Sequence, residues 1–539
     1  MEVTMALITN KKQFVLNIFL LALILIVINI ISRSLFFRWD VSQGKVYSLS
    51  ESSKQIIEKL DDRMTARVYF SADLPGEYVN SRRYLQDILE EYRAYSKGNF
   101  HFEFVNPDES EKNKQEAESY RIPPVQLRVI ENDKLEIKNV YMGLVLLFQD
   151  KREVLPFIQS TDGLEYDLTA SIKKILAKDL KKIGLIAGDG IDASVKNVSQ
   201  FLKQTYMVTN PVLNKPVPGD VNLILMNGVL DSLTLEELFN LDQFLIRGGK
   251  LFISQARQEA KVQEGIAESV ASNIFSFLEH YGLQINPDII IDKHCSQIQI
   301  QQQQGIFRFT NAIDYPFIPV IRKFNETNPI VAGLDEVRVF FAHEISPARE
   351  GIGFEPLLWT SGSSGSIPEG YFPVPGRGEN YSLRQGYNIY PVENEQIKKF
   401  NRQSAVVAVL RSGRAESFFK DITDFSSRED FLPGTDNAQI LLISDNRYFD
   451  DKRGGGSPEN LAFILNATDV LSGDEELVTI RNRGIRIRPL KQEVMASETA
   501  RKFWKWLNII LPSALVLVLA IIMSARKKKK RRLLEENYG

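Results

Sequence analysis

The chain has 539 residues, 44% hydrophobic and 25% charged, the balance of a globular protein with a sizeable core rather than of a disordered chain. Its 66 basic and 68 acidic residues leave a net charge of −2, which excludes nucleic-acid binding by the chain as a whole. The lone cysteine, Cys295, excludes an intrachain disulfide, a Cys-x-x-Cys redox pair and a multi-cysteine zinc centre, and four histidines, His101, His280, His294 and His343, leave little for a His-rich metal site.

Residues 1–12 read as a short cytoplasmic tail and residues 13–32 as a membrane span. Those twenty residues carry no charge, and at ~1.5 Å rise per residue they reach roughly 30 Å, the thickness of a bilayer's hydrocarbon core. The run is longer than the apolar part of a cleavable signal peptide, and no Ala-x-Ala-like site follows it.

Residues 40–180 read as an α/β domain. Residues 66–71 (ARVYFS) and 100–105 (FHFEFV) alternate as strands do, and between them Tyr84, Leu85, Ile88, Leu89, Tyr92 and Tyr95 recur at helical spacing. A charged helix over 109–120, strands over 125–131, 140–149 and 153–157, and a helix over 164–177 complete the order β-α-β-α-β-β-β-α. That order resembles a thioredoxin-like fold, with Ile122-Pro123-Pro124-Val125 where such folds place a cis-proline. The loop after the first strand, Ala72-Asp73-Leu74-Pro75-Gly76, has no thiol, so redox chemistry is excluded there.

Residues 181–490 read as a second α/β domain, with strands over 182–187, 221–226 and 250–254 as short apolar runs of a buried parallel sheet. A helix over 235–246 is stopped by Gly248-Gly249. The pattern resembles a flavodoxin/glutamine-amidotransferase-like α/β domain. Cys295, in Asp292-Lys293-His294-Cys295, has no strand-to-helix elbow around it, which assigns it a bystander role. Residues 296–400 read as an insertion: the glutamine run 299–304 as a strand edge or loop, and the Gly-, Ser-, Pro- and Tyr-rich 361–390 as a long loop. Strands return at 405–410 and 439–443, and a helix opens at Pro458.

Residues 506–525 form a second uncharged twenty-mer, followed by the basic block 526–532. Positive flanks stay in the cytoplasm. The expectation is therefore a bacterial inner-membrane protein with transmembrane helices at 13–32 and 506–525, both termini cytoplasmic, the bulk of the chain extracytoplasmic, and the basic tail 526–539 against the lipid bilayer.

No Gly-x-x-x-x-Gly-Lys-Ser/Thr, His-Glu-x-x-His or Gly-x-Ser-x-Gly occurs, so no catalytic residue, cofactor or metal is expected. In open α/β sheets ligands sit beyond the carboxyl ends of the strands. The candidates at those positions are Asp189, Asn227, Gln255 and Asp445, which are ordinary turn formers too.

Three groups of segments carry a family resemblance. They are Val46-Tyr47-Ser48-Leu49-Ser50; Ile122-Pro123-Pro124, Glu131-Asn132-Asp133-Lys134, Leu155-Pro156-Phe157-Ile158 and Leu164-Glu165-Tyr166-Asp167-Leu168; and Ser457-Pro458-Glu459-Asn460, Leu471-Ser472-Gly473-Asp474-Glu475 and Arg481-Asn482-Arg483-Gly484. The chain thereby resembles the GldG-like family, gliding-motility-associated auxiliary proteins of bacterial ABC transporters. The resemblance implies a non-catalytic subunit whose partners are an ABC permease and a cytoplasmic ABC ATPase. Where many relatives have a Gly-His-Gly-Glu-like turn, this chain has Ala187-Gly188-Asp189-Gly190. The residues alone leave open a free-standing scaffold or receptor ectodomain, and an amidotransferase or hydrolase relative.

Overall fold

The computed structural model describes residues 18–24, 48–131, 134–158, 160–161, 163–188, 193–304, 307–375, 381–391, 395–483 and 498–538. The chain divides into two units, Met1–Gly484 and Ile485–Gly539.

Within the first unit, the strands Met64–Phe70 and Phe100–Val105 pair in parallel across the helix Gly76–Tyr95, and Met142–Phe148 and Lys151–Leu155 extend the sheet antiparallel. Alternation along the two central strands sorts their side chains between two cores. Ala66, Val68, Phe70, Leu144 and Leu146 pack with Leu85, Leu89 and Tyr92 and with Leu168 and Ile172 of the helix Leu164–Leu176, whereas Tyr69 and Val145 face Ala117 and Ile122.

The thioredoxin-like expectation is corrected here. Val125–Glu131 leaves this sheet and pairs along its length with Lys134–Val140, a strand not foreseen from the sequence. A hairpin across two residues closes at far smaller entropic cost than a distant pairing. All described peptide bonds are trans, including those around Pro123 and Pro124.

The larger sheet has eight strands. Gly434–Ile443, Lys250–Ser254, Val221–Met226, Lys182–Ile186 and Met207–Thr209 run parallel in that order, and Val406–Glu416, Gly353–Trp359 and Lys323–Phe324 continue it antiparallel. One face carries Ile224, Leu251, Ile253, Ile440 and Leu442 against the helices Leu235–Ile246 and Ile274–His280. The other carries Leu223, Leu225, Phe252, Leu441 and Ile443 against Lys196–Leu202 and Pro458–Leu471. Leu235–Ile246 starts at a capping box, with the Thr234 hydroxyl accepting from the Glu237 amide and the Glu237 carboxylate accepting from the Thr234 amide. It stops at Gly248, where φ is +98°.

The flavodoxin/amidotransferase-like expectation is corrected with it. Residues 296–400 are mostly strand rather than loop. They supply three-stranded, four-stranded and eight-stranded sheets, partly through local hairpins and partly through partners distant in sequence. Even the Gly- and Tyr-rich stretch holds Ser364–Ile367, Gly370–Pro375 and Tyr381–Asn388. The unit is a mixed α/β structure with six sheets among the described residues.

The flanking transmembrane helices, and with them the two-span inner-membrane localisation, are corrected as well. Of the first apolar run only residues 18–24 are described, about 10 Å of helix at 1.5 Å per residue. The second lies in one helix, Glu498–Tyr538, that also contains the charged flanks and, inside it, Pro512. Among the described residues no helix is long and apolar enough to cross a membrane.

Candidate functional site

The carboxyl ends of the parallel strands bring together three of the four residues expected there. Asn227 follows Val221–Met226, Gln255 follows Lys250–Ser254, and Asp445 follows Gly434–Ile443; each is fully buried. Asp189 lies outside the described residues.

Each of the three is engaged by neighbouring backbone. The Asn227 side-chain oxygen accepts from the Phe449 amide at 3.0 Å. The Gln255 side-chain oxygen accepts from the Val229 amide at 2.8 Å, and its nitrogen donates to the carbonyls of Val229 and Ala256. Asp445 accepts from the amides of Arg447 at 2.8 Å and Phe340 at 3.0 Å, with Arg453 3.7 Å away. Burial pushes the Asp445 carboxyl above the usual carboxylate range, against the opposing pull of Arg453 and the two amides.

Asn446 was not singled out from the sequence, yet it joins the three loops. Its side-chain oxygen accepts from the Ala256 amide at 2.6 Å and from Gln255, its side-chain nitrogen donates to the Gln258 carbonyl, and its own carbonyl accepts from Gly228. A side chain at Gly228 would collide with Asn446. The Asn227 side-chain nitrogen and the Gln258 side-chain oxygen are buried without a partner among the described residues.

A second polar cluster joins four of the segments that carry the family resemblance, those around residues 48–50, Glu165, Asp474 and residues 481–483. Glu165, nine-tenths buried, accepts from the Ser50 amide and the Ser53 hydroxyl, both at 2.7 Å. Arg483 lies 3.1 Å from the same carboxylate and donates to the Ser48 carbonyl at 3.0 Å. Next to it Arg481 donates to Asp469 at 2.6 Å and to the Tyr166 hydroxyl at 2.5 Å. Asp474 accepts from Lys173 at 2.6 Å and Lys181 at 2.7 Å, and from Tyr206 at 3.0 Å. Burial works against the charge on Asp474, but the two lysines outweigh it and hold the carboxyl below its ordinary value. Residues up to 435 positions apart are thus tied in one ionic clasp between the first sheet's helices and the end of the unit. Its spacing in sequence gave no periodic signal by which it could have been found.

Cys295 is partly buried at the start of the strand Cys295–Gln304. Burial, reinforced by the charges of Asp314 and Asp292, pushes its thiol up to about 11. The thiolate is the nucleophile, so alkylation by iodoacetamide is expected to be slow at pH 8, to rise about tenfold per pH unit above it, and to level off only near the thiol's own value. Cys295→Ala should leave function intact. Fast labelling at pH 8, or loss of function at unchanged abundance, would contradict the bystander role. Among the described residues no group of three or more His, Cys, Asp or Glu side chains could hold a metal ion.

A profile described as a domain of unknown function matches residues 43–147. An uncharacterized protein of Borreliella burgdorferi is 23% identical over 494 residues, 89% of this chain and 91% of that protein. Among solved structures, the mmIFT52 N-terminal domain aligns with a TM-score of 0.31 and 11% identity over 54% of this chain and 96% of its own. The exo-beta-1,4-mannosidase Op5Man5 from Opitutaceae bacterium strain TAV5 aligns with a TM-score of 0.21 and 10% identity, over 77% and 51%. Scores that low bear on neither fold nor function. The profile of the family described as an ABC-type uncharacterized transport system matches residues 180–478, more than half of the chain. That description is broader than the GldG-like relatives expected from the motifs and does not mention gliding. On this match the chain belongs to the ABC-type uncharacterized transport system family.

Proposed function

We propose that the chain is a non-catalytic auxiliary subunit of an ABC-type transporter, assembled with a permease and an ATPase that are separate chains. The family match over residues 180–478 carries this reading. The sequence supports its division of labour: without a P-loop the chain has no phosphate cradle of that kind, so ATP must be hydrolysed in trans. The polar residues at the strand ends also fit a scaffold, since they are spent on bonds that fix loops to one another. The GldG-like motifs, of which those around residues 48–50, Glu165, Asp474 and residues 481–483 meet in the ionic clasp, support the finer placement among gliding-associated auxiliary subunits.

Affinity purification of the full chain from its host after chemical crosslinking tests the proposal. A permease and an ATPase should be recovered together, and the purified chain alone should not hydrolyse ATP. Recovery of the chain without either partner would overturn the reading.

A second reading keeps a small polar ligand beside Asn227, Gln255 and Asp445. The buried, unpartnered Asn227 side-chain nitrogen favours it. Native mass spectrometry of the purified chain separates the two readings: a retained small molecule that is lost in Asn227→Ala would support the ligand site.

A further inference from the structure

The strand Cys295–Gln304 is the outermost of its sheet. It pairs with Phe307–Ile321 on one side, and among the described residues no strand pairs with its other side. Such an edge presents a row of backbone donors and acceptors to any extended chain, and proteins usually protect it with a lysine, a proline or an inward charge. This strand has none of them: its sequence is CSQIQIQQQQ. Gln297, Gln299 and Gln301 are exposed on one face, with Ile298 and Ile300 half-buried on the other.

Residues 297–301 read Gln-Ile-Gln-Ile-Gln, the same in both directions. In an antiparallel pair about a two-fold axis through Gln299, Gln299 faces its own copy, Ile298 faces Ile300, and Gln297 faces Gln301. Every side chain then meets its own type. A glutamine amide carries both donors and an acceptor, so it is complementary to itself, and the absence of charge removes the like-charge penalty that opposes most self-pairing. We propose that this edge is an interaction surface for a second copy of the chain, joining two hairpins into a continuous sheet through an isologous antiparallel contact centred on Gln299. A foreign strand would gain the same backbone bonds but not this side-chain match. One strand edge is small beside the ~1,200–2,000 Å² buried by stable complexes, so the contact by itself makes a reversible dimer that depends on concentration.

Sedimentation velocity of the full chain over a range of concentrations should show a monomer–dimer equilibrium. Gln299→Lys, which sets two ammonium groups face to face at the axis, should weaken it by about fivefold. Register is read independently by disulfide trapping in a Cys295→Ser background. Directly opposite residues lie within disulfide reach, so Gln299→Cys should give a covalent dimer on mild oxidation. Gln297→Cys, displaced from its own copy along the strand, should not. A chain that remains monomeric at every concentration overturns the proposal, as does a dimer that Gln299→Lys leaves unchanged or in which Gln297→Cys crosslinks as readily as Gln299→Cys.

Discussion

Arg483→Ala is expected to open the ionic clasp and to raise amide exchange ~100-fold at residues 48–57 and 475–483, leaving the eight-stranded sheet protected. The reason is what remains behind. The Glu165 carboxylate is only 11% exposed and Arg483 is 18% exposed; removing one partner of such a pair strands the other charge in a low-dielectric site. Breaking a buried pair in this way costs ~3–5 kcal/mol, and the bonds from Ser50 and Ser53 keep the expectation at the lower end. About 3 kcal/mol corresponds to roughly a hundredfold in local opening, which hydrogen exchange reads residue by residue. Glu165→Gln in the Arg483→Ala background should recover part of the loss, because the stranded charge is then gone. If Arg483→Ala alone leaves exchange at residues 48–57 unchanged, the clasp does not hold the first sheet's helices to the end of the unit.

Acidification should destabilise the fold well above the range in which carboxylates titrate, and His343 is the cause. Its ring is fully buried, Nδ1 lies 3.0 Å from the Asn286 carbonyl, and its backbone amide donates to Ser444 at 2.7 Å. Burial, with a smaller contribution from the Arg257 charge, pushes the imidazole down to about 3 against the opposing backbone bonds. The unfolded chain titrates near 6.5, so it binds the proton that the folded chain refuses. The contribution is therefore fully present above pH 6.5 and is lost as pH falls from there towards about 3. At ~1.4 kcal/mol per pH unit the full loss approaches 5 kcal/mol. Urea denaturation between pH 6.5 and 4.5 isolates this group from most carboxylates. His343→Gln can keep a donor for the Asn286 carbonyl but cannot take up a proton, so its stability should fall much less on acidification than the parent's over that window, where burial holds the Asp167 carboxyl at about 6 and Asp445 above its ordinary value and tilts the remaining slope the other way. The same slope in both proteins would assign the pH dependence to other groups.

The clasp and the histidine differ in how far the sequence could have led to them. The Glu165 and Arg483 segments stood out only through family resemblance, and nothing in their composition says that they touch. His343 is one residue in an unremarkable apolar stretch, and its burial comes from strands and loops brought in from elsewhere, including the T-shaped contact with Tyr387. Asn446 was passed over beside Asp445, although it makes the contacts that fix three loops together. In each case the partners are far apart along the chain, while periodicity reports only which side of its own element a residue occupies.

The sequence by itself determined the elements whose signal is local. Short apolar runs became Lys182–Ile186, Val221–Met226 and Lys250–Ser254, and the capping box and glycines bounded Leu235–Ile246. It also excluded a P-loop, a disulfide and a multi-cysteine metal site, because those chemistries require residue types or spacings that are absent. Tertiary structure decided the rest. It turned residues 296–400 from an expected loop-rich insertion into strands of several sheets, and it withdrew Val125–Glu131 from the first sheet into a local hairpin. It also closed the ionic clasp. The physical reason is that a strand's alternation fixes its two faces but not its neighbour, and a charged side chain does not announce its counter-ion. Pairing is settled only when the whole chain competes for the same edges and the same buried charges.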